Sequence, residues 1–189
     1  MKVPLKIFVV DDEDILRITM CDDLQDAGYE VEAFANPLEA LESIRKKEVD
    51  VVITDIKMPQ MDGIELLGKI KEVRPDTYVI VMTAYSSVDS AVEAMKKGAY
   101  DYIAKPFKLD EMLLMLERIT ELRTVKQENR RLQQEISSRY PLEALVGESA
   151  AVRQIKELVN TVANTRTTVL ITGETGTGKE LLANIIHYT

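Results

Sequence analysis

Five short apolar runs recur in the first part of the chain, and stretches with the spacing of amphipathic helices separate them. Strands and helices that alternate in this way predict a parallel sheet with helices on both faces, a doubly wound α/β fold. The pattern also constrains function, because ligands of such sheets bind beyond the carboxyl ends of the strands. The five runs are KIFVV at 6–10, VEAF at 31–34, VVIT at 51–54, YVIVM at 78–82 and YIA at 102–104.

The stretches between these runs have apolar residues at helical spacing. In the first stretch, one apolar face is predicted to contain Ile15, Ile18, Leu24 and Ala27, and Gly28 marks the end of the helix. The fifth stretch begins at Leu109 and continues for longer than a small domain needs.

Chemically distinctive residues follow four of the five predicted strands. Taken alone, each has an ordinary explanation, since an Asp pair commonly forms a solvated turn and Lys-Pro a loop. The carboxyl ends of parallel strands meet at one edge of the sheet, so we expect these residues to lie in one crevice. They are Asp11 and Asp12 after the first strand, Asp55 after the third, Thr83 after the fourth and Lys105 after the fifth.

The residue types in this crevice suit phosphoryl transfer. Adjacent carboxylates repel one another unless a cation lies among them, and Mg²⁺ prefers oxygen ligands. A carboxylate can also attack a phosphoryl group to form an acyl phosphate, while an ammonium and a hydroxyl stabilise the transferred charge. The predicted roles are Asp55 as phosphoryl acceptor, Asp11, Asp12, Asp55 and the Lys57 backbone carbonyl as Mg²⁺ ligands, and Lys105 and Thr83 as contacts of the phosphoryl group.

Four segments, VVDDE, TDIKMPQMDG, VMTAY and YIAKPF, resemble in order and spacing the receiver domain of two-component response regulators. The resemblance covers about residues 4–122 and implies a flavodoxin-like five-stranded sheet, Mg²⁺ dependence and phosphorylation by a sensor histidine kinase. It also implies a cis peptide bond between Lys105 and Pro106, and a switch that couples Thr83 to the aromatic Tyr102.

The receiver family often dimerises through the fourth helix, fifth strand and fifth helix, so a homodimer through this face is implied. Most of the aromatic and apolar residues near it could equally be core residues. They are Tyr85, Met95, Tyr100, Tyr102 and Phe107.

The fifth helix is predicted to continue as a linker over 109–139, because residues 119–138 contain neither Gly nor Pro. A heptad pattern there predicts a parallel two-stranded coiled coil, and a polar Asn at one a position favours an in-register dimer. A single solvated helix is the alternative. The a and d positions are Leu122, Val125, Asn129, Leu132 and Ile136, with Glu121 at g and Lys126 at e.

Residues 140–189 have the pattern of a nucleotide-binding domain. Ser149 is predicted to cap a helix, TTVLIT at 167–172 is predicted to be a strand, and GETGTGKE then leads into another helix. A strand, a Gly-rich loop, a Lys and a helix in this order form a phosphate-binding loop. The residues predicted to contact ATP phosphates are Gly173, Glu174, Thr175, Gly176, Thr177, Gly178, Lys179 and Glu180.

Glu180 stands where the general motif has the Ser or Thr that binds Mg²⁺. GETGTGKE and the preceding VGES resemble instead the AAA+ domain of NtrC-like, sigma-54-dependent activators, in which Glu follows the Lys. The resemblance implies ATP as a ligand of the full-length protein. We expect 140–189 to be the N-terminal fragment of that domain, without useful ATPase activity, and contacts with sigma-54 polymerase and DNA to lie in parts absent from this sequence.

The predicted organisation is therefore a receiver at 1–122, a helical linker and an incomplete P-loop α/β fragment. Residues 1–108 hold 21 Asp and Glu against 14 Lys and Arg, which argues against a grip on a nucleic acid backbone. Cys21 is the only cysteine, and no apolar stretch approaches the length of a membrane span. We expect a cytoplasmic protein that does not associate with membranes.

The predicted function is a phosphorylation switch that controls AAA+ ring assembly and sigma-54-dependent transcription in the full-length protein. A coiled coil that continues the fifth helix favours negative control, so removal of residues 1–120 from that protein should raise its ATPase activity. One alternative is an aspartyl-phosphate hydrolase, which Lys57 disfavours because such enzymes carry a second Asp at that position. Another is an NTP-binding module based on residues 173–179.

Overall fold

The computed structural model describes residues 4–84, 88–147, 149–163, 165 and 167–188. The chain divides into two compact units, Met1–Glu121 and Leu122–Thr189. The first unit contains a five-stranded, wholly parallel sheet in the order β2-β1-β3-β4-β5, which is the predicted flavodoxin-like architecture. The strands are β1 Lys6–Val10, β2 Glu30–Phe34, β3 Val51–Asp55, β4 Tyr78–Thr83 and β5 Asp101–Ala104.

Helices connect successive strands and cover both faces of the sheet, as the alternating pattern predicts. Asn36 begins the second helix by accepting a hydrogen bond from the Leu38 N–H, and Asp62 begins the third in the same way from the Glu65 N–H. The helices are α1 Asp14–Asp26, α2 Pro37–Lys46, α3 Gly63–Val73, α4 Val88–Lys96 and α5 Leu109–Arg139.

The central strands are buried on both faces and support two separate cores. In β3, the side chain of Val52 packs with α2 and α3, whereas Val51 and Ile53 pack with α1 and the first part of α5. Every residue of β3 is buried, which explains why this run is continuously apolar instead of alternating.

The predicted apolar face of α1 is wrong. Ile15 and Ile18 are 78% and 56% exposed, while the residues of α1 that pack in the core are Met20, Cys21 and Leu24. The reason is geometric, because each helical residue advances by about 100° and six residues separate Ile18 from Leu24. The two side chains therefore lie on different sides of the helix.

The α5 helix runs without interruption for 31 residues. In the second unit it is followed by a short 3-10 helix at Leu142–Ala144, then α6 at Ala150–Val162 and α7 at Lys179–Tyr188. Ser149 caps α6, as predicted, by accepting a hydrogen bond from the Val152 N–H. None of the helices in the described ranges combines the length and apolar character needed to cross a membrane.

The strand predicted at 167–172 is not formed. These residues carry no strand assignment, and the described sheet pairs only β1 to β5. A strand is defined by hydrogen bonds to a neighbour, which the β-rich sequence TTVLIT cannot supply on its own. Leu170 is 86% exposed, in keeping with an unpaired segment.

The burial of Cys21 provides a test of the packing of α1. Burial raises the pKa of the Cys21 thiol above its ordinary value, and the Asp22 carboxylate raises it further. Since the thiolate is the reactive form, alkylation by iodoacetamide near neutral pH should be roughly tenfold or more slower in the folded chain than in urea. Mass spectrometry can follow the reaction at this single cysteine, and equal rates in both conditions would show that α1 is not packed as described.

Candidate functional site

The carboxyl ends of β1, β3 and β5 bring together three of the predicted site residues. Lys105 lies between two carboxylates, with its Nζ 2.8 Å from Asp11 Oδ2 and 2.6 Å from Asp55 Oδ1. Asp11 and Asp55 follow or end strands that pair directly in the sheet, whereas Lys105 is 94 residues from Asp11 in sequence. The sheet topology is therefore what creates this cluster.

Burial makes the ion pairs of Lys105 necessary. Asp11 is 1% exposed and Asp55 7%, and buried carboxylates need charged or hydrogen-bonding partners. Burial by itself would lower the pKa of Lys105, but the hydrogen bonds and charges of Asp11 and Asp55 outweigh it, so the pKa is raised. Lys105 thus remains an ammonium throughout the physiological pH range.

The remaining carboxylate oxygens accept hydrogen bonds from nearby backbone N–H groups. Asp11 Oδ1 accepts from Glu13 at 2.8 Å, and Asp55 Oδ2 accepts from Lys57, also at 2.8 Å. Both carboxylates are consequently held in a single orientation. The Lys57 backbone lies beside Asp55, as the predicted involvement of its carbonyl requires.

Thr83 lies at the next strand end. It is 5% exposed, and its carbonyl accepts a hydrogen bond from the Lys105 backbone N–H at 2.7 Å. The peptide bond between Lys105 and Pro106 is cis, as the resemblance implies. The β4–β5 register pairs Thr83 with Ala104 and Val81 with Tyr102, so Thr83 and Tyr102 are on the same face of the sheet.

Tyr102 itself is 42% exposed. It lines a shallow cavity of about 420 Å³ with residues of α4, including Val92 and Met95. Tyr100 and Phe107 are partly buried and pack against the core beneath α1 and α5. Of the two alternatives that the sequence allowed, dimer face or core, this packing favours the core. Tyr85 lies outside the described residues.

Asp12 is exposed, unlike the neighbouring Asp11. Within the described part of the chain, no group of three acidic, His or Cys side chains is arranged to hold a metal ion by itself. Asp11, Asp55 and Lys105 together carry one net negative charge, and Asp12 adds a second. Oxygen donors with this charge fit Mg²⁺, which binds one or two carboxylates and completes its shell with waters and phosphate oxygens.

Gly63 has a role in the site that the sequence interpretation missed. A Cβ at this position would lie 2.0 Å from the Asp55 carbonyl oxygen, and the Gly63 N–H donates to the Ile56 carbonyl at 2.9 Å. Only a residue without a side chain lets the start of α3 approach Asp55 so closely. The sequence does show an Asp-Gly pair at 62–63, but such a pair predicts a turn and not a close contact with Asp55.

The phosphate-binding loop is described within the second unit. Gly176 and Gly178 have φ values of 82° and 83°, which favour glycine. Lys179 begins α7, and its ammonium donates to the Glu174 carbonyl at 2.5 Å. The Thr177 hydroxyl donates to the same carbonyl at 2.8 Å. The Gly-rich turn, the Lys and the helix N-terminus are therefore adjacent, as the motif predicts.

This fold and site agree with the comparison to known families. Residues 7–117, more than half of the chain, match the response regulator receiver domain, and the chain belongs to this family. Residues 145–189 match the sigma-54 interaction domain. The chain thus combines a receiver domain with a following segment that is similar to the sigma-54 interaction domain, the order found in its NtrC-like relatives.

Individual relatives resemble the chain over most of its length. It is 44% identical over 184 residues to the transcriptional regulatory protein ZraR of Klebsiella oxytoca, covering 96% of this chain and 40% of ZraR. The chain spans about two fifths of the length of the curated relatives it matches. The crystal structure of NtrX from Brucella abortus in complex with ATP has a TM-score of 0.64 and 36% identity, over 98% of this chain and 40% of NtrX.

A second solved structure resembles the receiver alone. The beryllofluoride-activated NtrC4 receiver domain dimer has a TM-score of 0.59 and 37% identity, and the match covers 64% of this chain and 98% of that chain.

Substitution of Gly63 tests the close approach of α3 to Asp55. Gly63→Ala should lower the free energy of unfolding by about 1–3 kcal/mol, because the new methyl group overlaps the Asp55 carbonyl. Gly68→Ala is the matched control in the same helix, since a Cβ there meets nothing within 4 Å and should stabilise the helix by about 0.5–1 kcal/mol. Urea unfolding measures both, and equal midpoints for Gly63→Ala and wild type would contradict the geometry.

Proposed function

We propose that Asp55 is the phosphoryl acceptor of a two-component switch. The observation that carries the proposal is the Lys105 ammonium, which contacts both Asp55 and Asp11 at the mouth of the sheet. An ammonium at this position can neutralise charge on a phosphoryl group attached to Asp55. The nearby Thr83 hydroxyl is the second proposed contact of that group.

The proposed donor is a phosphohistidine of a sensor histidine kinase. An oxygen of the Asp55 carboxylate attacks phosphorus, and the phosphorus–nitrogen bond of the donor breaks as the new phosphorus–oxygen bond forms. The histidine nitrogen leaves with the electron pair and takes a proton from water. The product is an acyl phosphate on Asp55.

Asp11, Asp12, Asp55 and the Lys57 carbonyl are the proposed ligands of Mg²⁺. The ion, when bound, supplies positive charge that stabilises the phosphoryl oxygens. Lys105 already contacts Asp11 and Asp55, so its ammonium can turn from the carboxylates towards an incoming phosphoryl group. Asp12 is exposed, so its carboxylate can turn towards the ion without breaking a buried ion pair.

The proposed switch element is Tyr102. Its exposed ring lies on the same sheet face as Thr83, so movement of Thr83 towards a phosphoryl group would open space for the ring to turn inward. The shallow cavity beside α4 is the surface that such a movement would reshape. Val92 and Met95 are 44% and 45% exposed there, which suits a homodimer through α4, β5 and α5.

The second half of α5 is the other proposed dimer contact. Leu122, Val125 and Leu132 are 49%, 68% and 45% exposed along the predicted seam. Apolar side chains at a and d positions of a continuous helix are stabilised by pairing with a second copy. The Arg131 side chain pairs with Glu128 and Glu135 and stabilises the helix outside the seam.

In the full-length protein, we propose that this switch controls an AAA+ ATPase acting on sigma-54 polymerase, by the negative control that the linker favours. ATP is the proposed ligand of residues 173–180, in line with the NtrX structure solved in complex with ATP. This chain is not expected to turn over ATP, or a small phosphate ester. The unpaired segment at 167–172 supports the first expectation, and Lys57 in place of a second acidic residue supports the second. Its proposed location is the cytoplasm, where a lone thiol such as Cys21 stays reduced.

Phosphorylation by a small-molecule donor tests the acceptor. Incubation with acetyl phosphate and Mg²⁺ should add one phosphoryl group to the wild type, seen as intact mass, and none to Asp55→Asn. The group should be removed by hydroxylamine, because an acyl phosphate is reactive towards nucleophiles. Asp26→Asn, an exposed substitution at the end of α1, should label like the wild type. Equal labelling of Asp55→Asn would place the acceptor elsewhere.

The coiled-coil dimer can be tested by light scattering. Leu132→Glu should weaken dimerisation at least about 100-fold, because it places an unpaired charge in the apolar seam. Gln134→Glu is the control, since this exposed residue lies at an outward f position of the same heptad. A wild-type chain that remains monomeric at high micromolar concentration, or equal masses for the two variants, would contradict the dimer.

A further inference from the structure

The side chain of Arg17 in α1 reaches back to Asp11, the residue that follows β1. Its Nη1 donates to the Asp11 backbone carbonyl at 2.7 Å, and its Nη2 pairs with Asp14 Oδ1 at 2.5 Å. The Arg17 side chain is only 13% exposed although it belongs to a surface helix. One guanidinium group therefore joins the backbone carbonyl of Asp11 to the first turn of α1.

The turn between β1 and α1 is held by hydrogen bonds other than a helix cap. The N-cap position of α1 is Glu13, whose side chain makes no capping hydrogen bond. The Glu13 backbone N–H donates instead to Asp11 Oδ1, and Arg17 closes the turn from the other side. The first turn of α1 and the acidic turn before it thus depend on the same few hydrogen bonds.

Every polar group of Asp11 is occupied as a result. Its backbone N–H donates to the Phe34 carbonyl at 3.1 Å, its two carboxylate oxygens contact Glu13 and Lys105, and its carbonyl accepts from Arg17. The carbonyl is the group that belongs to the peptide joining Asp11 to Asp12. Its orientation decides how the second carboxylate is presented.

We propose that Arg17 is a positioning residue for the divalent cation site, acting through the peptide between Asp11 and Asp12. This inference rests on the proposed Mg²⁺ site and adds a residue to it. Arg17 touches no predicted ligand atom of the ion, since it contacts the carbonyl of Asp11 and not its carboxylate. Fixing the peptide lowers the entropy that the two carboxylates lose when a cation binds.

The direction in which Mg²⁺ affinity changes when Arg17 is removed distinguishes a positioning role from the simple effect of its positive charge. Arg17 is a cation close to an acidic cluster, so its removal should tighten Mg²⁺ binding if Coulomb repulsion were its only influence. If Arg17 positions the turn, its removal weakens binding in spite of the lost positive charge. The two explanations therefore predict opposite changes in the dissociation constant.

The experiment is a titration of the full 189-residue chain with Mg²⁺, followed by the amide NMR shifts of the turn between β1 and α1. Arg17→Met should raise the dissociation constant about threefold to tenfold, the effect of one or two lost hydrogen bonds. Arg45→Met removes an equal charge from an exposed position at the end of α2 and should change it by less than about twofold. Arg17→Lys keeps the charge but cannot bridge both partners, so it should restore only part of the affinity.

Phosphorylation gives a second measurement on the same variants. The rate of labelling by acetyl phosphate should fall for Arg17→Met at low Mg²⁺ and return to the wild-type value at saturating Mg²⁺. Unchanged or tighter Mg²⁺ binding by Arg17→Met would overturn the inference, as would a rate that saturating Mg²⁺ does not restore. If Arg17→Met does not fold, Arg17→Lys decides the question, because it keeps the charge and loses the bridge between Asp11 and Asp14, so Mg²⁺ binding as tight as in the wild type would overturn the inference. A wild-type chain that shows no Mg²⁺-dependent shifts would instead refute the proposed Mg²⁺ site itself.

Discussion

Two carboxylates buried side by side at the edge of a sheet can coexist only because an ammonium group lies between them. Lys105 supplies that group, and it contacts Asp11 and Asp55 across the ends of three strands. Removing a buried charge from its partner costs several kcal/mol, on the order of 3–5. The ion pairs of Lys105 therefore fix the ends of β1, β3 and β5 relative to one another. The neighbouring loops must leave room for this arrangement. Gly63 does so by its lack of a side chain, and the turn after Asp11 by its hydrogen bonds.

The same arrangement leaves the site ready for further charge. Asp11, Asp55 and Lys105 carry one net negative charge, and the exposed Asp12 adds a second. A cluster of buried charges with no net charge would attract a cation only weakly. This cluster keeps a net negative charge at a solvent-accessible edge of the sheet, so it attracts cations. Stability and the proposed phosphoryl chemistry therefore depend on the same few groups.

The buried and the exposed apolar residues of α5 lie on different faces of the helix. Met112, Leu116 and Ile119 are buried in the receiver core, and they occupy the b and e positions of the heptad that continues beyond them. At the a and d positions, Leu122, Val125 and Leu132 are 49%, 68% and 45% exposed. Because the two stripes do not overlap, packing in the receiver does not consume the apolar surface proposed for pairing.

The order of strands and helices, and the residues of the site, could be read from the sequence. Buried parallel strands require continuous apolar runs, and ligands of such sheets bind beyond their carboxyl ends, so the polar residues after four of the five runs together predicted a site there. The spacing of apolar residues predicted these helices and strands because it depends on which side of each single element is buried. It failed where a neighbour decides the outcome, as for the segment 167–172, which has strand-forming residues but no strand to pair with.

Only the tertiary structure decided which groups meet. Ile15 and Ile18 are as apolar as Leu24, but the side of α1 that faces the sheet is set by how the helix packs. Gly63 reads as a turn residue until Asp55 lies against it, and Arg17 as a surface charge until its guanidinium reaches the Asp11 carbonyl. The sequence by itself determined the sheet and the types of side chain that follow its strands, because both depend on residue type and spacing. The contacts that orient that chemistry depend on distances between segments far apart in the chain, which only folding sets.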